Sequence, residues 1–256
     1  MFLFKKAVIW VLTVLSLVAM GACTTIDVFA PVPTASAAGD TVMVGETAVI
    51  LKVTARGREP TFIALHENES TSVEAAKAMM AYSGGTLIEL KHTGARNLTF
   101  RLGGTQYEID PNRMFTDRGI KVNLRPYSTE AHAAVAALAQ RIIRKLSRRV
   151  VALHNNTDGG YSILQYQAGQ KYANEAAMPP HVVEGQDPDN FFFVTPPNDF
   201  ARLKKAGFNV VLQAGQPSDD GSLSVYCSRN GINYVNVEAQ HGSRKEQIKM
   251  LHALLK

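Results

Sequence analysis

Two histidines and a glutamate stand where they could share one ion. His66 and Glu69 are three residues apart, just past the apolar run at 61–65. A turn leaving a strand can bring ligands at that spacing onto one side, and an imidazole paired with a carboxylate suits zinc. His154 closes a second apolar run at 149–153. Two histidines and one glutamate leave a fourth position for water, whose pKa zinc lowers towards neutrality. Glu238 closes a third apolar segment at 232–238. A carboxylate buried there needs a partner or a task. Beside activated water it can accept a proton and pass it to a leaving amine. Together these groups point to hydrolysis of an amide bond.

Asp110-Pro111-Asn112-Arg113 adds a grip for an anion. The planar fork of Arg113 fits a carboxylate, and Asn112 beside it can donate in the same direction. Arg96 and Arg101 lie just before and within the strand at 97–102. Either can supply a cation that polarises the scissile carbonyl. Asn155 and Asn156 follow His154, where they can orient it or touch substrate, and Asn155 is expected to contact substrate.

The elements that must position these groups alternate. Strands are predicted at 47–53, 61–65, 87–91, 149–153, 191–195, 209–212 and 232–238. Gly103-Gly104-Thr105 predicts a hairpin joining 97–102 to 106–109. Helices are predicted at 72–82, 130–146, 199–206 and 245–255; Ala134, Leu138, Ile142 and Leu146 give the strongest helical spacing. Strands alternating with helices predict an α/β fold with one mixed central sheet and helices on both faces. The polar groups His66, His154, Asp219-Asp220 and Glu238 stand past apolar strands or at their ends, where sites form in open α/β sheets.

The order of these parts resembles the zinc carboxypeptidase superfamily. That group includes carboxypeptidase A-like enzymes and the succinylglutamate desuccinylase/aspartoacylase branch. Its Asp-x-Asn-Arg-x-Phe segment matches Asp110 to Phe115, and the order and rough spacing of all the elements match across 61–240. The resemblance implies a zinc carboxypeptidase-like fold and one zinc ion on His66, Glu69 and His154. It implies that Asn112 and Arg113 grip a substrate carboxylate and that Glu238 is general base, then acid. An arginine upstream of the Asn-Arg pair would stabilise the oxyanion, with Arg96 favoured over Arg101. A tyrosine over the substrate is also implied; Tyr226 and Tyr161 are candidates, and Tyr226 is the one expected to bind. Pro111, the short interval from Glu69 to His154, and Asp219-Asp220-Gly221-Ser222-Leu223-Ser224 depart from the digestive peptidases. A trimmed core is closer to the deacylase branch.

Residues 1–22 read as an export signal, with Lys5 and Lys6 before an apolar run at 7–20. Gly21-Ala22-Cys23 resembles a lipobox, making Cys23 a candidate lipid anchor; simple secretion is the alternative. Thr24 after the cysteine favours the outer membrane in a Gram-negative cell. The protein is therefore expected to be exported, either periplasmic or anchored at the outer membrane. Residues 23–45, rich in Pro, Ala and Ser, read as a tether, and 46–256 as the hydrolase domain, a monomer. An exported carboxypeptidase or amidase would meet peptidoglycan peptides, whose stems carry free carboxylates. A scavenging peptidase or N-acyl amino-acid deacylase is the alternative substrate class. A non-catalytic carboxylate-binding protein is the alternative of another kind.

Several classes are disfavoured. A net charge of +5 over 256 residues is mild, and no nucleic-acid motif accompanies it. Two cysteines, Cys23 and Cys227, do not make a disulfide framework. Neither a Gly-x-Ser-x-Gly elbow nor a His-Glu-x-x-His helix is present.

Overall fold

Apolar runs bounded by turn residues build most of the sheet. The computed structural model describes residues 39–256; the export signal expected at 1–22 and the anchor expected at Cys23 lie outside them. The strands are β1 (Asp40–Val44), β2 (Thr47–Ala55), β3 (Thr61–Ala64), β4 (Thr86–Lys91), β5 (Leu98–Leu102), β6 (Thr105–Ile109), β7 (Arg149–Asn156), β8 (Phe191–Val194), β9 (Val210–Leu212) and β10 (Asn233–Gln240). The helices are α1 (Ser70–Ser83), α2 (Asp117–Asn123), α3 (Thr129–Ile143), α4 (Pro197–Lys205), α5 (Leu223–Arg229) and α6 (Arg244–Leu255).

Eight strands form one mixed sheet in the order β1-β2-β4-β3-β7-β10-β8-β9, and β5 and β6 pair as a separate hairpin. The centre is parallel: β4 with β3, β3 with β7, and β7 with β10. Antiparallel pairings of β1 with β2, β2 with β4 and β10 with β8 make the sheet mixed.

Period-two alternation divides the core between the two faces of the sheet. On β7, Val150 and Ala152 join one cluster, and Val151 and Leu153 join the other. The first face is covered by α2, α3 and α5 through Ile120, Val135, Leu138, Leu223 and Cys227. The second is covered by α1, α4 and α6 through Ala76, Met80, Leu203 and Leu251. In α3, Ala131, Val135, Leu138 and Ile142 recur at helical spacing, and Ser128 caps the helix by accepting from the Ala131 N–H. Each fully buried Leu, Ile or Phe contributes about 1.5–3 kcal/mol of burial.

The structure departs from the sequence expectations in places. β1 occupies 40–44 of the segment expected to be a tether: Thr41 and Met43 face out, Val42 and Val44 turn in, and the strand pairs with β2 from Asp40↔Leu51 to Val44↔Thr47. The short helices α2 and α5 lacked a periodic signal. Each starts at a capping hydroxyl, Thr116 to the Gly119 N–H and Ser222 to the Val225 N–H. β7 and β10 run past His154 and Glu238, so both residues sit inside strands rather than beyond them.

Candidate metal centre

Strand register brings the site together. β3, β7 and β10 are adjacent and parallel, so their carboxyl ends share one edge of the sheet. β3 ends at Ala64, and the chain turns through His66, whose carbonyl accepts the Glu69 N–H at 3.3 Å. Glu69 then directly precedes α1. His154 on β7 and Glu238 on β10 are register partners. Neighbouring strands lie about 4.8 Å apart, so these two residues must be neighbours. Alternation puts His154 on the face of Ala152, and Glu238 on the face of Tyr234.

The ligand atoms of His66, Glu69 and His154 lie within 4.8 Å of one another, and all three residues are buried. His66 Nδ1 is 3.2 Å from His154 Nδ1 and 2.9 Å from Glu69 Oε1. His154 Nδ1 is 3.0 Å from Glu69 Oε2. Asp110 Oδ1 is 2.8 Å from His66 Nε2. Burial works to raise the Asp110 carboxyl, but the hydrogen bond and charge of His66 outweigh it and hold it well below the usual carboxylate range. Ionised Asp110 can only accept, so Nε2 of His66 carries a proton, and Nδ1 is the nitrogen that faces the cluster. Glu69 follows the same pattern: burial works upward, and the two imidazoles pull it well below its ordinary value. For His66 itself, burial works downward, but Asp110 and Glu69 outweigh it and raise its pKa. One ionised carboxylate and two convergent imidazole nitrogens, sequestered from water, form a donor set that fits a transition metal.

The carboxylate of Glu69 is further held by the Asn155 backbone N–H at 3.1 Å and by the Arg96 guanidinium. Arg96 also lies 3.7 Å from Asp110 and is half exposed. The structure therefore separates the two candidate arginines. Arg96 lines the cavity beside the cluster. Arg101, expected as an alternative, does not: it is exposed on β5, and its carbonyl accepts the Glu46 N–H at 2.7 Å. Its backbone packs so closely on the β1–β2 turn that a Cβ at Gly45, which has φ of 58°, would stand 2.1 Å from the Arg101 carbonyl oxygen.

Asn155, expected to contact substrate, is among the residues lining the cavity, but its side-chain polar atoms are engaged elsewhere. Alternation turns its side chain to the opposite face from His154, where Oδ1 accepts the Ser72 N–H at 2.9 Å. Its Nδ2 donates to the Ala239 carbonyl at 3.2 Å and to Gln247 Oε1 at 2.9 Å. Gln247 in turn donates to the His154 carbonyl at 2.9 Å. The side chain of Asn155 thus ties α1 and α6 to the strand ends. Tyr226 is also displaced from its expected place: it packs against the Phe115 ring, 6.5 Å between centroids, and does not line the cavity. Tyr161, Tyr166, Tyr172 and Tyr234 do. Burial raises the phenols of Tyr161 and Tyr166, which hydrogen-bond each other, so both remain protonated.

Asn112 and Arg113 line the same cavity, of about 540 Å³. Asn112 Oδ1 accepts the Leu223 N–H at 3.0 Å, which leaves its amide N–H groups as the free donors. Arg113 stands 3.5 Å from Asp220 and is one-third exposed. The segment 219–222, which matched no peptidase motif, buttresses this pair. Asp219 accepts from Thr116 Oγ1 and Arg229 Nη1, both at 2.6 Å. Gly221, at φ of 82°, would with a Cβ press to 2.4 Å from the Arg113 carbonyl oxygen and 2.5 Å from Gly119 Cα.

Glu238 is 5% exposed and lines the cavity. Burial, reinforced by the nearby Glu69 charge and opposed by His154, raises its pKa. Asn236 Nδ2 donates to its Oε1 at 3.0 Å. The sequence expectations passed over Asn236, Gln213, Ser224, Lys171 and Glu175, which also line the cavity. Asn236 was legible as the residue two before Glu238 on one strand; the 161–175 segment carries no periodic signal.

No protein-family model matches the sequence, and a search among curated proteins finds no match. Among solved structures, a chain from Shewanella denitrificans OS217 described as a candidate metallopeptidase aligns over 86% of this chain and 81% of its own, at 14% identity and a TM-score of 0.40. A similarly described chain from Shewanella baltica OS155 covers 85% of each, at 13% identity and a TM-score of 0.42. Another, from Shewanella amazonensis SB2B, covers 85% of this chain and 84% of its own, at 11% identity and a TM-score of 0.41. At these scores the likeness carries no argument about the site.

Proposed function

We propose that this chain is an exported zinc-dependent hydrolase that cleaves an amide bond beside a free carboxylate. The carrying observation is the meeting, at one cavity, of Glu69 and His154 from the His66–Glu69–His154 cluster, the buried carboxylate Glu238 in register with His154, and the Asn112–Arg113 pair. Bound zinc would polarise the scissile carbonyl and make water easier to ionise. Glu238, with its pKa raised, is suited to take the proton from water and hand it to the departing amine nitrogen. Arg113 and the amide N–H groups of Asn112 would bind the substrate carboxylate, displacing the long contact to Asp220. Arg96, already beside Glu69, is placed to stabilise charge growing on the carbonyl oxygen.

The substrate class we favour is peptidoglycan peptides. Two features support it: the export-signal pattern at 1–23, and a carboxylate grip fit for a stem peptide. The test is mass spectrometry of purified muropeptides, and of an N-acyl amino-acid panel, incubated with the zinc-loaded protein. Loss of one terminal residue marks a carboxypeptidase, and loss of a whole stem an amidase. Cleavage of N-acyl amino acids alone would move the chain to a deacylase. Stoichiometric zinc with no cleavage of either panel would refute the enzymatic reading in favour of a carboxylate-binding protein.

A further inference from the structure

Helix α1 starts without help from its own N-cap. Glu69 precedes the helix, and its side chain makes no bond to the first turn. An N-cap side chain ordinarily accepts the N–H of the second or third helical residue, because those donors have no partner within the helix. The Glu69 carboxylate faces the cluster instead, towards His66, His154 and the Asn155 N–H. The third of those donors, the Ser72 N–H, goes to Asn155 Oδ1 at 2.9 Å. A side chain from β7 thus caps α1 in place of Glu69.

Asn155 does not hold that pose alone. Gln247 of α6, 0% exposed, lies behind it. Asn155 Nδ2 donates to Gln247 Oε1, and Gln247 Nε2 donates to the His154 carbonyl, both at 2.9 Å. Backbone groups of fixed polarity settle both amides. The Ser72 N–H can only donate, and the carbonyls of Ala239 and His154 can only accept. Turning over either amide would set oxygen against oxygen and N–H against N–H. Gln247 shares its helix face with Met250 and Leu251, which join the second core cluster. An aliphatic side chain would suit that core without burying an amide. A buried network with every member satisfied instead makes what it joins rigid.

We infer that Asn155 and Gln247 are positioning residues for the metal ligands. Capping α1 from β7 leaves the Glu69 carboxylate free for the ion, and holding the His154 carbonyl fixes the strand that carries the second imidazole. The inference rests on the proposed reading that His66, Glu69 and His154 hold zinc.

The test is zinc competition and cobalt absorption on the full chain, with circular dichroism to verify the fold. The visible bands of bound cobalt follow ligand geometry, which a role in stability alone would not move. Asn155→Leu keeps the size, removes the cap and frees the Ser72 N–H to compete for the Glu69 carboxylate. Gln247→Met keeps the length and removes both amide bonds. Each is expected to lower zinc affinity by about tenfold and to alter the cobalt bands. Because the two act as one unit, the double variant should lose no more than about threefold beyond either single. Leu254→Ala lies in the core at the far end of α6, near Arg149 where β7 begins. It should lower the Tm, yet leave zinc affinity within about twofold and the bands unchanged. Should one single variant not fold, the other carries the test. Wild-type affinity and bands in a folded single variant, losses that multiply in the double, or an equal loss in Leu254→Ala would each overturn the inference. A wild-type chain that takes up neither metal sinks the metal centre and this inference together. Weakened metal binding in the variants, with no cleavage by the wild type, sinks the hydrolase and leaves the inference standing.

Discussion

Asp110→Asn should weaken metal binding without removing a metal ligand. In the wild type, Asp110 Oδ1 accepts from His66 Nε2 at 2.8 Å and from the Asn112 N–H at 2.7 Å. Asparagine keeps the shape and one acceptor oxygen, so the turn at Asn112 should survive. The negative charge is what disappears. Charge-assisted hydrogen bonds are about twice as strong as neutral ones, and removing an outer partner of a ligating histidine costs about 10–100-fold in metal affinity. That range corresponds to about 1.4–2.7 kcal/mol. The Arg96–Asp110 contact at 3.7 Å adds little, because Arg96 is half exposed and such pairs contribute about 0–1 kcal/mol. The assay is zinc competition against a chromophoric chelator at fixed pH, with circular dichroism to verify the fold. Asp110→Ala, which removes the acceptor altogether, should cost more than Asp110→Asn. A zinc affinity for Asp110→Asn within about twofold of wild type would refute the claim that Asp110 orients His66.

Other changes test neighbouring parts of the argument. Glu238→Gln should leave zinc stoichiometry unchanged, by metal analysis, and lower kcat/KM by about 10²–10⁴-fold; near-normal turnover would remove Glu238 from the chemistry. Gly221→Ala places a Cβ against Arg113 and Gly119 in a backbone region that favours glycine, and should destabilise by about 1–3 kcal/mol, read as a lower Tm. The Asp219 carboxyl is held below its ordinary value: burial works upward, and the bonds from Thr116 and Arg229 outweigh it. A depressed folded-state pKa stabilises fully above the unfolded value, near about 4, and the contribution is lost as pH falls below that. Urea melts should therefore show Asp219→Asn less stable than wild type at pH 7, with the gap shrinking as pH falls below the unfolded value near about 4; a gap independent of pH would contradict the assignment.

Much of the frame is legible in the chain itself. Apolar runs closed by His66, His154 and Glu238 already say that three strands end in polar groups, and the spacing in α3 already says which face it buries. What the chain cannot carry is register. The pairing of Glu238 with His154 follows from the β7–β10 alignment, a choice between segments far apart in sequence. β1, α2 and α5 were hidden because five to seven residues hold too few periods to signal against a polar, proline-rich or glycine-containing background.

Residue types and their order along the chain determined which groups could meet a metal, because burial of two histidines and two glutamates demands partners wherever they fall. Tertiary structure alone decided which of them do meet, and on which side. It put Arg96 at the cluster and Arg101 on an outlying hairpin, turned the side chain of Asn155 beneath the sheet, and replaced Tyr226 with Tyr161 and Tyr166. The physical reason is common to all of these. A side chain's face follows from strand alternation, but its neighbours follow from strand order, and strand order is fixed by packing between distant segments.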